Sequence, residues 1–173
     1  NREAWNMLVN AYSRRIFNMA YQFTGTFEEA EDRTQEIFMK IYTSLEKYDF
    51  EKNFSAWLLT LAKNHLIDQY RRTRWERKAR DNFNEHYLPS EKADSPEAGI
   101  LQQESKKMIW EGLNKLSTQV RMTVILRDIQ GKSYEEIVEI MSLPLGTVKS
   151  RVNRGRLQLA RILKEKKESE NGV

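Results

Sequence analysis

Apolar residues three and four positions apart run through almost the whole chain, a period that leaves room for helices and little else. The first stripe is Trp5, Leu8, Val9, Tyr12, Ile16, Met19, Ala20 and Phe23. No stretch alternates Val, Ile and Thr as a half-buried strand does, and 7 Gly and 3 Pro in 173 residues interrupt the pattern rarely. Gly25 closes the first helix. Thr26 with Glu29 predicts a capping box, while Glu28, Glu31 and Asp32 put negative charge where the next helix dipole favours it. That second helix is predicted to run to about Leu45, with Ala30, Ile37, Phe38, Ile41, Tyr42 and Leu45 on its apolar side. A polar loop over 47–53 leads into a third, whose apolar residues are Trp57, Leu58, Leu61, Leu66 and Tyr70. It ends in a basic run, Arg71, Arg72, Arg74, Arg77, Lys78 and Arg80. Three helices in this space make a bundle of a size that folds alone.

From about Asp81 to Gly99 the periodicity lapses, and Pro89, Ser90, Ser95 and Pro96 mark a linker. Residues 81–104, fully extended, would reach roughly 80 Å. Helical spacing resumes with Ile100, Leu101, Met108, Ile109 and Leu113, then Val120, Val124, Ile125 and Ile129 up to Gly131. Ser133 and Glu136 form a second capping box opening 134–141, and the break Ser142-Leu143-Pro144 precedes a last helix with Val148, Val152, Leu159 and Leu163 inward. The expected fold is all-α: two small helical domains, 1–80 and 105–173, joined by a flexible acidic linker over 81–104, the C-terminal one a four-helix helix-turn-helix domain. Charge follows the same division, +3, −5 and +6 over these segments within a total of +4. Two positive modules suit a polyanion such as nucleic acid, although a solvated mixed-charge surface has the same composition.

Several classes of activity are excluded. There is no cysteine, so no disulfide, thiolate metal site or cysteine nucleophile. The two histidines, His65 and His86, make no His-x3-His pair, and no metal site is expected. Glycine-rich phosphate loops, Gly-x-Ser-x-Gly and His-Glu-x2-His are all missing, so neither catalytic residues nor a cofactor are expected, and the chain does not read as an enzyme. The longest apolar runs are far short of a membrane span. A cytoplasmic protein without direct membrane insertion is expected, with a few residues preceding Asn1 because the chain does not open on Met.

The strongest local signal lies at 133–156, where two short helices flank a tight turn and the second is predicted to enter the major groove. With Val148 and Val152 inward, Thr147, Lys149, Ser150, Asn153, Arg154 and Arg156 are left on outward or flanking faces. Arg pairs with guanine, Asn with adenine, and Ser or Thr with base edges or phosphate. Two other stretches are less specific. Trp57, Asn64, His65, Asp68, Tyr70 and Arg71 combine the aromatics, amides and cations that hold unstacked bases, yet on these residues alone a packed Trp57 and solvated Asn64 and His65 are the simpler reading. The acidic stretch from Asp32 to Phe38 is explained as well by helix-dipole chemistry as by a binding role.

Taken in order, these stretches resemble the extracytoplasmic-function (ECF) sigma factors, bacterial transcription initiation factors. The segment Glu29–Tyr42 is similar to the family's polymerase-binding segment. Tyr48–Leu58 with Ala62–Arg72 is similar to its promoter-melting and −10-reading segment, and Leu143–Arg151 to its −35-reading helix. The resemblance implies that Asp32, Gln35, Glu36, Phe38, Met39 and Tyr42 face core RNA polymerase. It implies that Asp49, Phe50, Lys52, Asn53 and Ser55 pocket a flipped −10 base, with Asn64, His65, Asp68, Arg71 and Arg72 on the helix beside it. It implies −35 contacts from Thr147, Lys149, Ser150, Arg151, Asn153, Arg154 and Arg156. The acidic linker would occupy a positively charged channel of the polymerase. Implied partners are core RNA polymerase, promoter DNA and an anti-sigma factor. Leu59 and Thr60 depart from the family's usual Tyr and Arg, and Asn153 from its frequent His. The competing reading is a stand-alone helix-turn-helix regulator, which would bind a palindromic operator unaided.

Overall fold

In a computed structural model, residues 1–81 and 100–172 are described; the predicted linker falls largely outside them. All regular structure among the described residues is helical. The first domain comprises α1 (Arg2–Thr24), α2 (Phe27–Ser44), a single 3₁₀ turn (Leu45–Lys47) and α3 (Phe54–Asp81). The second comprises α4 (Ile100–Lys115), α5 (Thr118–Val124), α6 (Tyr134–Met141) and α7 (Leu145–Asn171). The helical spacing therefore resumes inside the 81–104 segment, at Ile100.

Local chemistry sets most boundaries. Asn1 caps α1 through a bond from the Glu3 amide (3.0 Å), and Gly25 ends that helix in the left-handed region, φ 83°, its amide donating to the Tyr21 carbonyl. Thr26 accepts from the Glu29 amide, but the Glu29 carboxylate turns to Arg33 (4.0 Å), so only half of the expected box forms. At α6 both halves form: Ser133 accepts from the Glu136 amide at 3.1 Å and Glu136 from the Ser133 amide at 2.8 Å. The helix begun by α5 widens into a π turn over Ile125–Ile129, with the Gln130 amide on the Ile125 carbonyl. The extra residue per turn rotates Ile129 outward, away from the apolar side its spacing predicts.

Ile16, Met19, Phe23, Ile37, Ile41, Leu58 and Leu66 fill the first core, and Leu113, Met122, Ile125, Ile137, Val148 and Val152 the second. The two domains are packed against each other. Arg121 of α5 is inserted between the end of α1 and Tyr70 of α3, Gln130 donates to Gln22 (3.0 Å), and α6 lies along α3 beside Thr60. A bundle and a helix-turn-helix unit that the linker length could hold far apart thus form one body.

Candidate nucleic-acid interface

Three surfaces carry the residues expected to act. On α2, Asp32, Gln35, Met39 and Tyr42 follow an i, i+3, i+7, i+10 course and are all exposed, Met39 at 70%. An exposed thioether and phenol in one line with two polar groups form a surface chemically able to bind protein. Two residues of the expected set are placed otherwise. Phe38 is turned into the core with its ring edge-on to Trp5 (6.2 Å). Glu36 points back at α3, accepting from Arg33 (2.5 Å) and meeting His65 Nε2 (2.6 Å). Burial pushes the Glu36 carboxyl up, but the bonds from His65 and Arg33 outweigh it and hold the group below the usual carboxylate range.

The second surface is the loop before α3 and that helix's outer side. Asp49 accepts from the Glu51 amide (3.1 Å), and the Tyr48 hydroxyl donates to the Lys52 carbonyl, fixing the loop. Phe50 is 89% exposed, edge-on to Tyr48, which in turn packs on Phe54 and Trp57. This shelf has one free ring at its lip, an arrangement able to stack an unpaired base. Trp57 is both part of the packed cluster and part of the shelf. Asn53 is committed to capping α3 through the Ala56 amide (2.9 Å), and Ser55 faces Arg15 (3.3 Å). Asn64, Asp68, Arg71 and Arg72 are exposed on α3. His65 is a correction to the expected surface set: it lies inside, 3% exposed, where it ties α3 to α2.

The third surface is α7, the second helix of the helix-turn-helix. Lys149, Ser150, Asn153 and Arg154 are exposed near its start, while Val148 and Val152 are buried beneath them. Thr147 and Arg151 are half-buried. Arg156 is exposed but held by Asp128 through both Nε (2.9 Å) and Nη2 (2.5 Å).

Comparison with known proteins identifies the family. The family model of Sigma-70 region 2 matches residues 8–76, and that of Sigma-70 region 4 matches residues 106–159. The ECF RNA polymerase sigma-E factor of Haemophilus influenzae is 30% identical over 90% of this chain and 85% of its own. The chain belongs to the ECF RNA polymerase sigma factors. A further relative, the sigma factor SigW of Bacillus subtilis, is 29% identical over 95% of this chain and 91% of its own. Among solved structures, the sigma factor RpoE in complex with the anti-sigma factor NepR from Bartonella quintana superimposes with a TM-score of 0.76 at 26% identity, covering 94% of this chain and 98% of that one. A stand-alone regulator is not favoured, because both sigma regions are matched, in order, on one chain.

In this sigma factor the residues that sequence reasoning missed lie between the domains. Arg121 is 1% exposed, with its guanidinium on the carbonyls of Phe23 (3.2 Å), Asn114 (2.9 Å) and Leu116 (3.4 Å). The Trp110 ring fills the space where a side chain on Gly25 would stand. Lys63, on the side of α3 that carries Thr60, is buried; burial pushes its ammonium below the ordinary lysine range, opposed by Asp68. Leu59 and Thr60, the two departures from the family pattern, have local explanations. Leu59 is core, and the Thr60 hydroxyl donates to Ala56 (2.7 Å) and approaches the Ile140 carbonyl of α6 (3.4 Å).

Proposed function

We propose that this sigma factor binds core RNA polymerase through the α2 face and reads promoter DNA at two places, without catalysis of its own. Residues 1–80 form the polymerase-binding and −10 module, 81–104 the connector and 105–173 the −35 module. Asp32, Gln35, Met39 and Tyr42 contact polymerase. Phe50 and the aromatic shelf take a flipped −10 base, with Asn64 and Asp68 beside it and Arg71 and Arg72 on phosphate. Lys149, Ser150, Asn153 and Arg154 contact the −35 element. The protein works in the cytoplasm and is held in check by an anti-sigma factor. The observation that carries this reading is the ordered match to both sigma regions, with an exposed polar and cationic face on the second helix of the helix-turn-helix.

Elements centred about 25 base pairs apart are separated by roughly 85 Å of duplex, taking about 3.4 Å per pair. Packed domains cannot address both at once, so reading a promoter requires them to part, and polymerase supplies the spacing. Run-off transcription with purified core polymerase tests the assignment: promoter-specific transcripts are expected only when this chain is added. Gln35→Ala with Met39→Ala should abolish them by weakening polymerase binding. High-affinity binding of a palindromic operator by the chain alone, with no transcripts, would overturn it.

A further inference from the structure

We propose that Trp5 of α1 is a positioning residue for polymerase binding: its indole props the Tyr42 ring outward on the α2 face. The inference rests on the assignment of that face to core polymerase. Residue spacing puts Tyr42 on the apolar side of α2, one turn after Phe38, yet Phe38 is buried and Tyr42 is 63% exposed. Trp5 touches both rings. Its indole meets Phe38 edge-on at 6.2 Å, with 87° between the planes, and Tyr42 edge-on at 5.0 Å, with 79°. Edge-to-face contact at this range is an arrangement that aromatic pairs favour.

Three observations favour positioning over plain packing. Trp5 is only half-buried, so its ring sits at the margin of the core, where Tyr42 emerges, and not at the centre. Among the described residues, Trp5 is the one aromatic ring against Tyr42. Positions 38 and 42 differ by only about 40° around the helix axis, so space vacated by the indole lies within reach of the phenol. A phenol folded over Phe38 would be lost from the line of Asp32, Gln35 and Met39. Finally, the start of α1 is tied down. The Glu3 amide donates to the Asn1 side chain (3.0 Å) and the Trp5 amide to the Asn1 carbonyl (3.2 Å), which holds the indole in place at a helix end that would otherwise fray. A fixed edge of this kind removes rotamer freedom from Tyr42 before polymerase arrives, so that binding does not have to.

The test titrates the full chain against purified core polymerase and follows thermal unfolding of the same variants. Trp5→Leu keeps apolar bulk at the position and removes the aromatic edge. It should weaken polymerase binding about five- to tenfold. Trp5→Phe, which restores an edge, should recover most of that affinity, although the unfolding midpoints of the two variants should lie close together. Tyr42→Ala should weaken binding to a similar degree, and Trp5→Leu should add little to it, because its effect runs through the phenol. Parental affinity in Trp5→Leu would overturn the proposal, as would equal losses in Trp5→Leu and Trp5→Phe. Full additivity with Tyr42→Ala, or affinities that merely follow the unfolding midpoints, would overturn it as well. Failure of the α2 assignment shows separately, as parental polymerase binding by Gln35→Ala with Met39→Ala.

Discussion

The Arg121 guanidinium donates to the Phe23 carbonyl at 3.2 Å and lies 5.0 Å from the centre of the same residue's ring, so one residue of α1 receives both the charge and its flat face. A permanently charged group is buried here with carbonyls as its acceptors. They lie at the C-terminal ends of α1 and α4, where helix dipoles leave partial negative charge. Tyr70 of α3 covers the guanidinium from another side at 4.8 Å. Desolvating a cation costs several kcal/mol, and these partners offset much of that.

Tyr70→Leu removes one aromatic face from the contact and leaves the bonds of Arg121 to Asn114 and Leu116 in place. The closed arrangement should lose about 1–2 kcal/mol. Small-angle scattering of the free protein should show a larger radius of gyration, while promoter-specific transcription with core polymerase persists. An unchanged radius would mean that the ring contributes nothing to closure.

Gly25→Ala strains a backbone at φ 83° and drives a methyl group into the Trp110 ring. The conformational part alone costs about 1–2 kcal/mol. Because the second part exists only while Trp110 is present, Gly25→Ala with Trp110→Ala should destabilise by less than the sum of the single changes. A thermal-unfolding double-mutant cycle measures that coupling.

The features legible in the sequence are the ones that local chemistry fixes. Ser133 and Glu136 specify their cap within four residues, and the stripe from Ile16 to Phe23 names its own buried face. Arg121 was not legible. It interrupts the apolar run Val120–Leu126 and reads as a charge on a helix, and only the arrival of Phe23 and Tyr70 from the other domain makes it a buried contact. The same holds for the binding surfaces. The exposed start of α7 follows from helical period, but the spacing puts Tyr42 on the apolar side of α2, where it is instead 63% exposed, and the burial of His65 against Glu36 depends on how α2 crosses α3. The π turn that rotates Ile129 outward has no counterpart in residue spacing.

The contact between Glu36 and His65 sets a pH dependence. The Glu36 carboxyl titrates below its ordinary value of 4.5 in the folded protein, so the unfolded chain binds the proton more readily. Its contribution is therefore present above that ordinary value and lost as pH falls through the lowered one. For a partly exposed carboxylate it amounts to about 1 kcal/mol or less. Glu36→Gln should flatten this part of the acid limb when stability to denaturant is followed against pH, and a limb identical to the parent's would assign the titration elsewhere.

Arg154 and Arg156 lie two positions apart on α7, and the structure separates their roles. Arg156 spends two donors on Asp128, a bidentate pair that ties the middle of α7 to the end of the π turn; Arg154 is exposed. Arg154→Ala should therefore weaken holoenzyme binding at the −35 element by about 1–3 kcal/mol and relax base preference there. Arg156→Ala should leave that preference intact and instead lower the stability of the second domain, by about 1 kcal/mol. Asp128→Ala frees a guanidinium beside the same groove. It should raise affinity for DNA of any sequence and steepen the salt dependence by about one phosphate's worth. Titration of the three variants against cognate and scrambled −35 duplexes at several salt concentrations distinguishes them. An altered base preference in Arg156→Ala would show that the arginine leaves Asp128 for a base when DNA binds.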